Sequence, residues 1–317
     1  MMNTPTTRNG LSIVIPVFNS QQTLGELVSR LSQVLPEQNP SYEVILVNDG
    51  SRDRSWEQVS QLAEKFDWVQ GINLMRNYGQ HNALLCGIRS ARYEITITMD
   101  DDLQHPPEEI PKLLSHLSEG YDVVYGTPQE DQHGLFRNMA SWVTKIALQS
   151  TMGAQTARNI SAYRAFRTRL REAFSHYQNP YVSIDVLLTW GTSSFSFVPV
   201  HHDPRVKGET NYTFRKLFVH ALNMITGFSV LPLRIASLLG FTFALFGVIV
   251  LIYVIGRFLI LGGSVPGFPF LASTIAIFSG VQLFAIGIIG EYLARMHFRL
   301  MERPSYVIRE NAGTNGE

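Results

Sequence analysis

The sequence predicts an α/β protein: a doubly wound, mostly parallel sheet followed by interfacial helices and a two-helix transmembrane hairpin. Three observations predict it. Between residues 11 and 126, short apolar runs alternate with segments whose apolar residues recur at helical spacing, the pattern of a parallel sheet covered by helices. Residues 235–256 and 268–290 contain no charged side chain; at about 1.5 Å per helical residue, each run spans roughly the 30 Å of a bilayer core. Only the turn GGSVPG, too short to be a domain, lies near the middle of that apolar region.

The elements follow in order. LSIVIP (11–16) is a continuous apolar run that suits a strand buried on both faces. Leu24, Leu27, Val28, Leu31 and Leu35 then repeat at helical spacing, with Asn19 or Ser20 available as N-cap. YEVILV (42–47) predicts a second strand, and Trp56, Val59, Leu62 and Phe66 mark a second helix. VQGINL (69–74) reads as a third strand and residues 79–91 as a third helix. EITITM (94–99) is a fourth strand; Pro106 and Pro107 open the next helix, and YDVVYG (121–126) closes the series. The arginine-rich stretch 158–171 reads as a solvated helix face, or as one that meets lipid headgroups. TFRKLFVHALNMITGF (213–228) is amphipathic and predicts an interfacial helix.

The charge is balanced, 26 basic against 26 acidic residues, which gives no footprint for a nucleic-acid partner. Charged residues are only 16% and hydrophobic ones 45%, because the hairpin is so apolar. Arg215, Lys216 and Arg234 precede the hairpin and Arg295, Arg299 and Arg303 follow it, while the turn has neither Lys nor Arg. The positive-inside rule therefore puts the soluble domain and both termini in the cytoplasm. MMNTPTTRNG has no apolar core of a signal peptide. Glycines 240, 247, 280, 287 and 290 permit close helix approach, including association into a homo-oligomer. The single cysteine, Cys86, lies in an apolar helical pattern and reads as core.

In a doubly wound sheet, ligands bind beyond the carboxyl ends of strands. Three tips qualify: PVFN (16–19), NDGS (48–51) and DDDLQ (100–104). No GxGxxG or GxxxxGK[ST] follows a strand, which argues against an ordinary dinucleotide or P-loop site. Asp49 is first of all a turn residue that its position also suits to accepting hydrogen bonds from a base or ribose. Asp100 and Asp102 flank Asp101, and in extended backbone alternate side chains share a face. Two such carboxylates can hold Mg²⁺ or Mn²⁺, whose remaining ligands are waters and phosphate oxygens; alternatively the run is an acidic loop capping the helix at Pro106.

IPVFN, VNDGSRD, LMRNYGQHNALLCGI and MDDDLQHPPEEI, in this order, resemble the cytosolic domain of inverting glycosyltransferases of family 2, with the Rossmann-like GT-A fold. GFSVLPLRIASLLG and GIIGEYLAR…ERPSYVI extend the resemblance over almost the whole chain, toward the polyprenyl-phosphate branch: dolichol-phosphate mannose synthases, bactoprenol glucosyltransferases and undecaprenyl-phosphate aminoarabinose transferases. The resemblance implies a multi-pass enzyme of the plasma (inner) membrane, working in cell-envelope glycan synthesis, that moves a sugar from a nucleoside diphosphate sugar to a polyprenyl (undecaprenyl or dolichyl) phosphate. It implies that Pro16, Asn19, Asp49 and Asp100 line the nucleotide pocket, with Arg137 near the diphosphate. Asp102 and Gln104, with Asp100 beside them, would ligate the metal; Asp102 and Arg205 would carry the catalysis. Arg205, Thr210 and Tyr212 match an R-x-x-G-x-[ST]-K-aromatic pattern and, with Lys207 inside it and Arg158, would receive the acceptor phosphate; for Lys207, ordinary juxtamembrane charge is an equal reading.

The chain departs from the family pattern at several points. Ser20 replaces a frequent Glu, Asp101 a small residue, Asn211 the lysine of the acceptor pattern, and Gln129 an arginine. Arg158 falls where relatives carry an aspartate proposed as catalytic base. A phosphate monoester, with its second pKa near ~6, is already largely dianionic and needs no strong base. The expected organisation is a cytosolic GT-A domain over 1–204, a juxtamembrane segment over 205–233, transmembrane helices over 234–261 and 268–293, and a cytosolic tail over 294–317. The competing readings are a nucleotide-sugar-binding membrane protein without turnover and a transferase to a different lipid acceptor.

Overall fold

The structure, a computed structural model, describes residues 8–128, 159–179, 182–203, 231–261, 267–301 and 303–313. The chain forms two compact units: Met1–Phe214 with Glu302–Glu317, and Arg215–Met301.

The first unit is built on one sheet. Its early elements are β1 (Arg8–Val17), α1 (Leu24–Gln38), β2 (Tyr42–Asn48), α2 (Ser55–Lys65), β3 (Val69–Leu74), α3 (Gln80–Ser90) and β4 (Tyr93–Thr98). A 3₁₀ turn, Pro107–Glu109, leads into α4 (Ile110–Ser118), and then come β5 (Val123–Pro128) and β6 (Arg164–Arg167). A 3₁₀ segment, Thr168–Phe174, α5 (Ile184–Leu188), β7 (Phe195–Val200) and β8 (Ile308–Ala312) complete it. Among the described residues the sheet has eight strands in the order β7-β5-β6-β4-β1-β2-β3-β8. β1 runs parallel to β2 and β4, and β2 to β3; β6 and β8 are antiparallel to their neighbours.

The continuous apolar runs become the centre of the sheet: Ile13, Val14, Ile15, Val44, Ile45 and Leu46 are fully buried, as strands covered on both faces must be. α1 lays Leu24, Leu27, Val28, Leu31 and Leu35 on one face, all without exposure. α3 packs on β1 and β2 so closely that any side chain at Gly87 would meet Val14 and Val47. The register sets the carboxyl ends level: Val17 stands beside Asn48, Asn48 beside Asn73, and Val14 beside Thr98.

Three local expectations change. α1 starts at Leu24 with Thr23 as its cap residue, rather than at Asn19 or Ser20. Asn19 is held left-handed (φ 57°), its side-chain oxygen taken by the Arg52 N–H, and the Ser20 carbonyl accepts the N–H groups of Thr23 and Leu24. The arginine-rich stretch, where described, is a strand followed by a 3₁₀ segment rather than one α-helical face, and is not solvated as a whole: Arg164 is 2% exposed in β6 and pairs with Asp185 on α5. Arg167 pairs with Glu94, Arg169 with Asp122, and Arg171 donates to the carbonyls of Ile88, Arg89 and Ala91. Finally, the tail does not stay apart: residues 308–312 join the sheet as its edge strand, antiparallel to β3.

The second unit holds α6 (Leu231–Leu261) and α7 (Phe268–Leu300). Within α6, residues Ile235–Arg257 are long and apolar enough to cross a membrane, with mean hydropathy 2.7. The apolar stretch Phe278–Ala294 of α7 is shorter. The two helices touch through the Phe243 and Phe278 rings, 6.0 Å apart and edge to face, beside Gly247.

Candidate active site

The tips of β1, β2 and β4 come together around one open cleft of about 290 Å³. It is lined by Pro16, Val17, Phe18, Asp49, Asn77, Gly79, Gln80, Asp100, Asp101 and Asp102. Four of these are carboxylates and none is Lys or Arg.

Each wall has a local cause. Asp49 follows β2 and is 2% exposed; its two carboxylate oxygens accept the N–H groups of Tyr78 (2.7 Å) and Gly79 (2.8 Å). Burial raises its pKa, against the pull of those two donors and of Arg76. Gly79 is held at φ 97°, a backbone conformation that favours glycine, and opens α3. Gly50, at φ 64°, lies so close to Asn77 that a Cβ would stand 2.5 Å from its backbone nitrogen. The NDGS tip and the 75–79 loop are thus one interlocked wall.

The aspartate run forms the opposite wall. Asp100 Oδ1 accepts from Gln80 Nε2 at 2.6 Å, a contact between two cleft-lining residues. Asp101 turns to the β1 tip: its Oδ2 accepts the Phe18 N–H at 3.1 Å, while the Ser20 hydroxyl donates to the Phe18 carbonyl at 3.2 Å. Burial pushes its carboxyl up to about 6, against the pull of the Phe18 N–H. Asp102 Oδ1 accepts the Gln104 N–H at 3.1 Å across Leu103, a buried leucine held left-handed at φ 63°. A leucine at positive φ is uncommon enough to mark a backbone conformation imposed by its surroundings. Next along the chain, His105 is buried, its ring stacked on Tyr163 and edge-on to His202. Burial first, then His202 and Arg164, lower its pKa to about 3, so the imidazole is neutral at physiological pH.

The structure therefore brings Pro16, Asp49, Asp100 and Asp102 to one cleft. Asn19 and Gln104 stand next to it rather than in its lining: Asn19 ties the β1 tip to the β2 tip through Arg52 and Ser51, and the Gln104 carbonyl accepts the Asp203 N–H at 3.0 Å. Arg137, Arg158, Arg205, Lys207, Thr210 and Tyr212 lie outside the described residues. Phe18, Asn77, Gly79, Gln80 and Asp101 also line the cleft, although no ligand role for them follows from the sequence. For Asn77, Gly79 and Gln80 the signal was the RNYGQH segment, which carries resemblance but no periodicity or charge pattern of its own; Phe18 and Asp101 lie within tips already singled out.

A divalent cation fits this donor set. Asp100 and Asp102 offer hard carboxylate oxygens beside an amide-bearing Gln104, the ligand type that suits Mg²⁺ or Mn²⁺. Among the described residues, no three acid, imidazole or thiol groups close on one point as a ready-made cage.

The neighbours of this chain agree on the fold and family. It is 34% identical over 302 residues to an undecaprenyl-phosphate 4-deoxy-4-formamido-L-arabinose transferase of Enterobacter sp. (strain 638), covering 94% of this chain and 92% of that one. A protein of the same name from Yersinia enterocolitica is 35% identical, with 96% and 94% covered. The crystal structure of glucosyl-3-phosphoglycerate synthase from Mycobacterium tuberculosis, in complex with Mn²⁺, UDP and glucosyl-3-phosphoglycerate, superimposes with a TM-score of 0.51 at 16% identity, over 69% of this chain and 78% of that one. The glycosyl transferase family 2 model matches residues 12–177, just over half the sequence. On these grounds the chain belongs to glycosyl transferase family 2.

Proposed function

We propose that this chain is a membrane-anchored inverting glycosyltransferase that moves a sugar from a nucleoside diphosphate sugar to a polyprenyl phosphate. The observation that carries the reading is the cleft at the carboxyl ends of β1, β2 and β4, where the described lining residues include four aspartates and neither Lys nor Arg. A dianionic diphosphate cannot sit there unless a cation comes with it. The names of the two relatives above support undecaprenyl phosphate as acceptor, and the Mn²⁺ and UDP of the structural neighbour support the form of the donor.

In this reading Pro16, Asn19, Asp49 and Asp100 hold the nucleotide and Arg137 the diphosphate. Asp102 and Gln104, with Asp100, hold Mg²⁺ or Mn²⁺, which would neutralise the charge developing on the leaving diphosphate. The acceptor phosphate, ionised before it binds, needs positioning by cations more than a base. Arg205 and Lys207, with Thr210, Tyr212 and Arg158, supply that positioning. The Asp203 N–H on the Gln104 carbonyl supports the placement: Arg205 is two residues further on, at most about 7 Å of extended backbone. The neutral His105, stacked on Tyr163 beneath the loop, keeps that turn fixed without adding charge. The α6–α7 pair serves as the transmembrane hairpin, with the sheet domain and both termini on the cytoplasmic side.

The test is transfer of radiolabelled sugar from UDP- and GDP-sugars to undecaprenyl phosphate by the purified chain. Label in the lipid phase that disappears in Asp102→Ala, with the variant still membrane-inserted, supports the reading. Donor binding without transfer to any lipid would make the chain a binder instead.

A further inference from the structure

The C-terminal segment beyond α7 lies outside residues 12–177, to which the family model extends, yet it reaches the wall of the cleft. β8 pairs antiparallel with β3, Glu310 beside Asn73 and Ile308 beside Leu74. Just past β3, both backbone polar groups of Met75 are taken by this segment: its N–H donates to the Val307 carbonyl at 2.9 Å, and its carbonyl accepts from Arg309 Nη2 at 2.9 Å. Met75 begins the loop that supplies Asn77 and Gly79 to the cleft and the Tyr78 and Gly79 N–H groups to Asp49. A second line of contacts runs deeper. Glu310 Oε1 accepts from Asn73 Nδ2 (2.8 Å), and Asn73 Oδ1 accepts from the buried Asn48 Nδ2 (2.8 Å), next to Asp49 in sequence. At its start the segment is fixed by Ser305, buried and hydrogen-bonded both ways with the backbone of Asn179.

We propose that residues 303–313 are a strap that positions the donor loop 75–79, with Arg309 as its positioning residue and the Met75 backbone as the point of grip. The proposal rests on the donor-site reading above and adds to it a part of the chain remote in sequence from every tip. β8 itself is short, polar and exposed except at Ala312, which packs on the core; it is a poor strand by composition, and most of its contacts on β3 are with what it holds. Arg309 is exposed on that edge strand, which makes it a local handle: its removal takes away one charge-assisted bond and no core packing.

The experiment is calorimetric binding of UDP and of GDP, each with MnCl₂, to the full chain in detergent, alongside its thermal unfolding. Arg309→Ala should weaken binding of the preferred nucleotide about tenfold, the equivalent of one hydrogen bond to a charged group, with little change in unfolding temperature. Arg309→Lys should recover most of that loss. Unchanged affinity in Arg309→Ala, or a lowered unfolding temperature with affinity retained, overturns the strap. If wild type itself binds neither UDP nor GDP, it is the donor-site reading that fails.

Discussion

Arg164 offers the sharpest test of what the arginine-rich stretch does. In the structure it is 2% exposed, paired with Asp185, which also accepts the Tyr125 hydroxyl at 3.0 Å, and its guanidinium lies 5.8 Å from the Tyr125 ring centre. Removing one partner of a buried ion pair strands the other charge and costs about 3–5 kcal/mol. Arg164→Met keeps volume, so little cavity term is added, and Asp185 keeps the Tyr125 hydroxyl, which favours the lower end, about 3 kcal/mol. For a unit of roughly this size, each kcal/mol lowers the unfolding temperature by about 2–4 °C, so a fall of about 6–12 °C is expected. The double variant Arg164→Met with Asp185→Asn leaves no stranded charge and retains an acceptor for Tyr125; it should recover a substantial part of that fall. The assay is thermal unfolding of the detergent-purified chain followed by intrinsic fluorescence. If Arg164→Met unfolds at the wild-type temperature while binding of anionic vesicles drops, the brace is wrong and the stretch meets headgroups after all.

Two further outcomes follow from the same geometry. Asp49→Ala leaves the Tyr78 and Gly79 N–H groups without the acceptor they have at 2.7 and 2.8 Å; with water able to enter from the cleft, the expected loss is about 2–3 kcal/mol, seen as a lower unfolding temperature together with weakened nucleotide binding, and a variant as stable as wild type contradicts it. Asp101 makes stability depend on pH: with its carboxyl raised from 3.8 to about 6, the folded chain keeps a proton that the unfolded chain releases across that window. Stability therefore falls as pH rises through it, by at most about 3 kcal/mol. Asp101→Asn measured in EDTA should flatten that slope, and an unchanged slope would assign it to other groups.

The sequence made the centre of the fold readable because buried parallel strands are long, apolar and punctuated by turns. β1 to β5 and α1 to α4 all appear where those runs and spacings lie. What it hid was held together by polar chemistry. β6 is four residues with an arginine at its start, and only the fold reveals Asp185 as that arginine's partner. β7 contains Pro199, which weakens a strand reading, and β8 is IRENA, with no apolar pattern at all. The cleft was legible in the same uneven way. Strand ends pointed to Pro16, Asp49, Asp100 and Asp102, since topology alone makes such tips converge. The contributions of Asn77, Gly79 and Gln80 depend on how the β3–α3 loop is tied to Asp49 and Asp100, a long-range contact with no local trace. Asp101, a departure from the family pattern, accepts the Phe18 N–H, which places a carboxylate at the β1 tip that neighbouring Ser20 does not supply.

The measurement closest to the centre of this account is a titration of the full chain with UDP and GDP, with and without Mn²⁺. The account predicts that one nucleotide binds only when the ion is present, and that Asp102→Ala abolishes the ion's effect while the protein stays folded. Equal binding in EDTA, or an ion effect that survives Asp102→Ala, would contradict it.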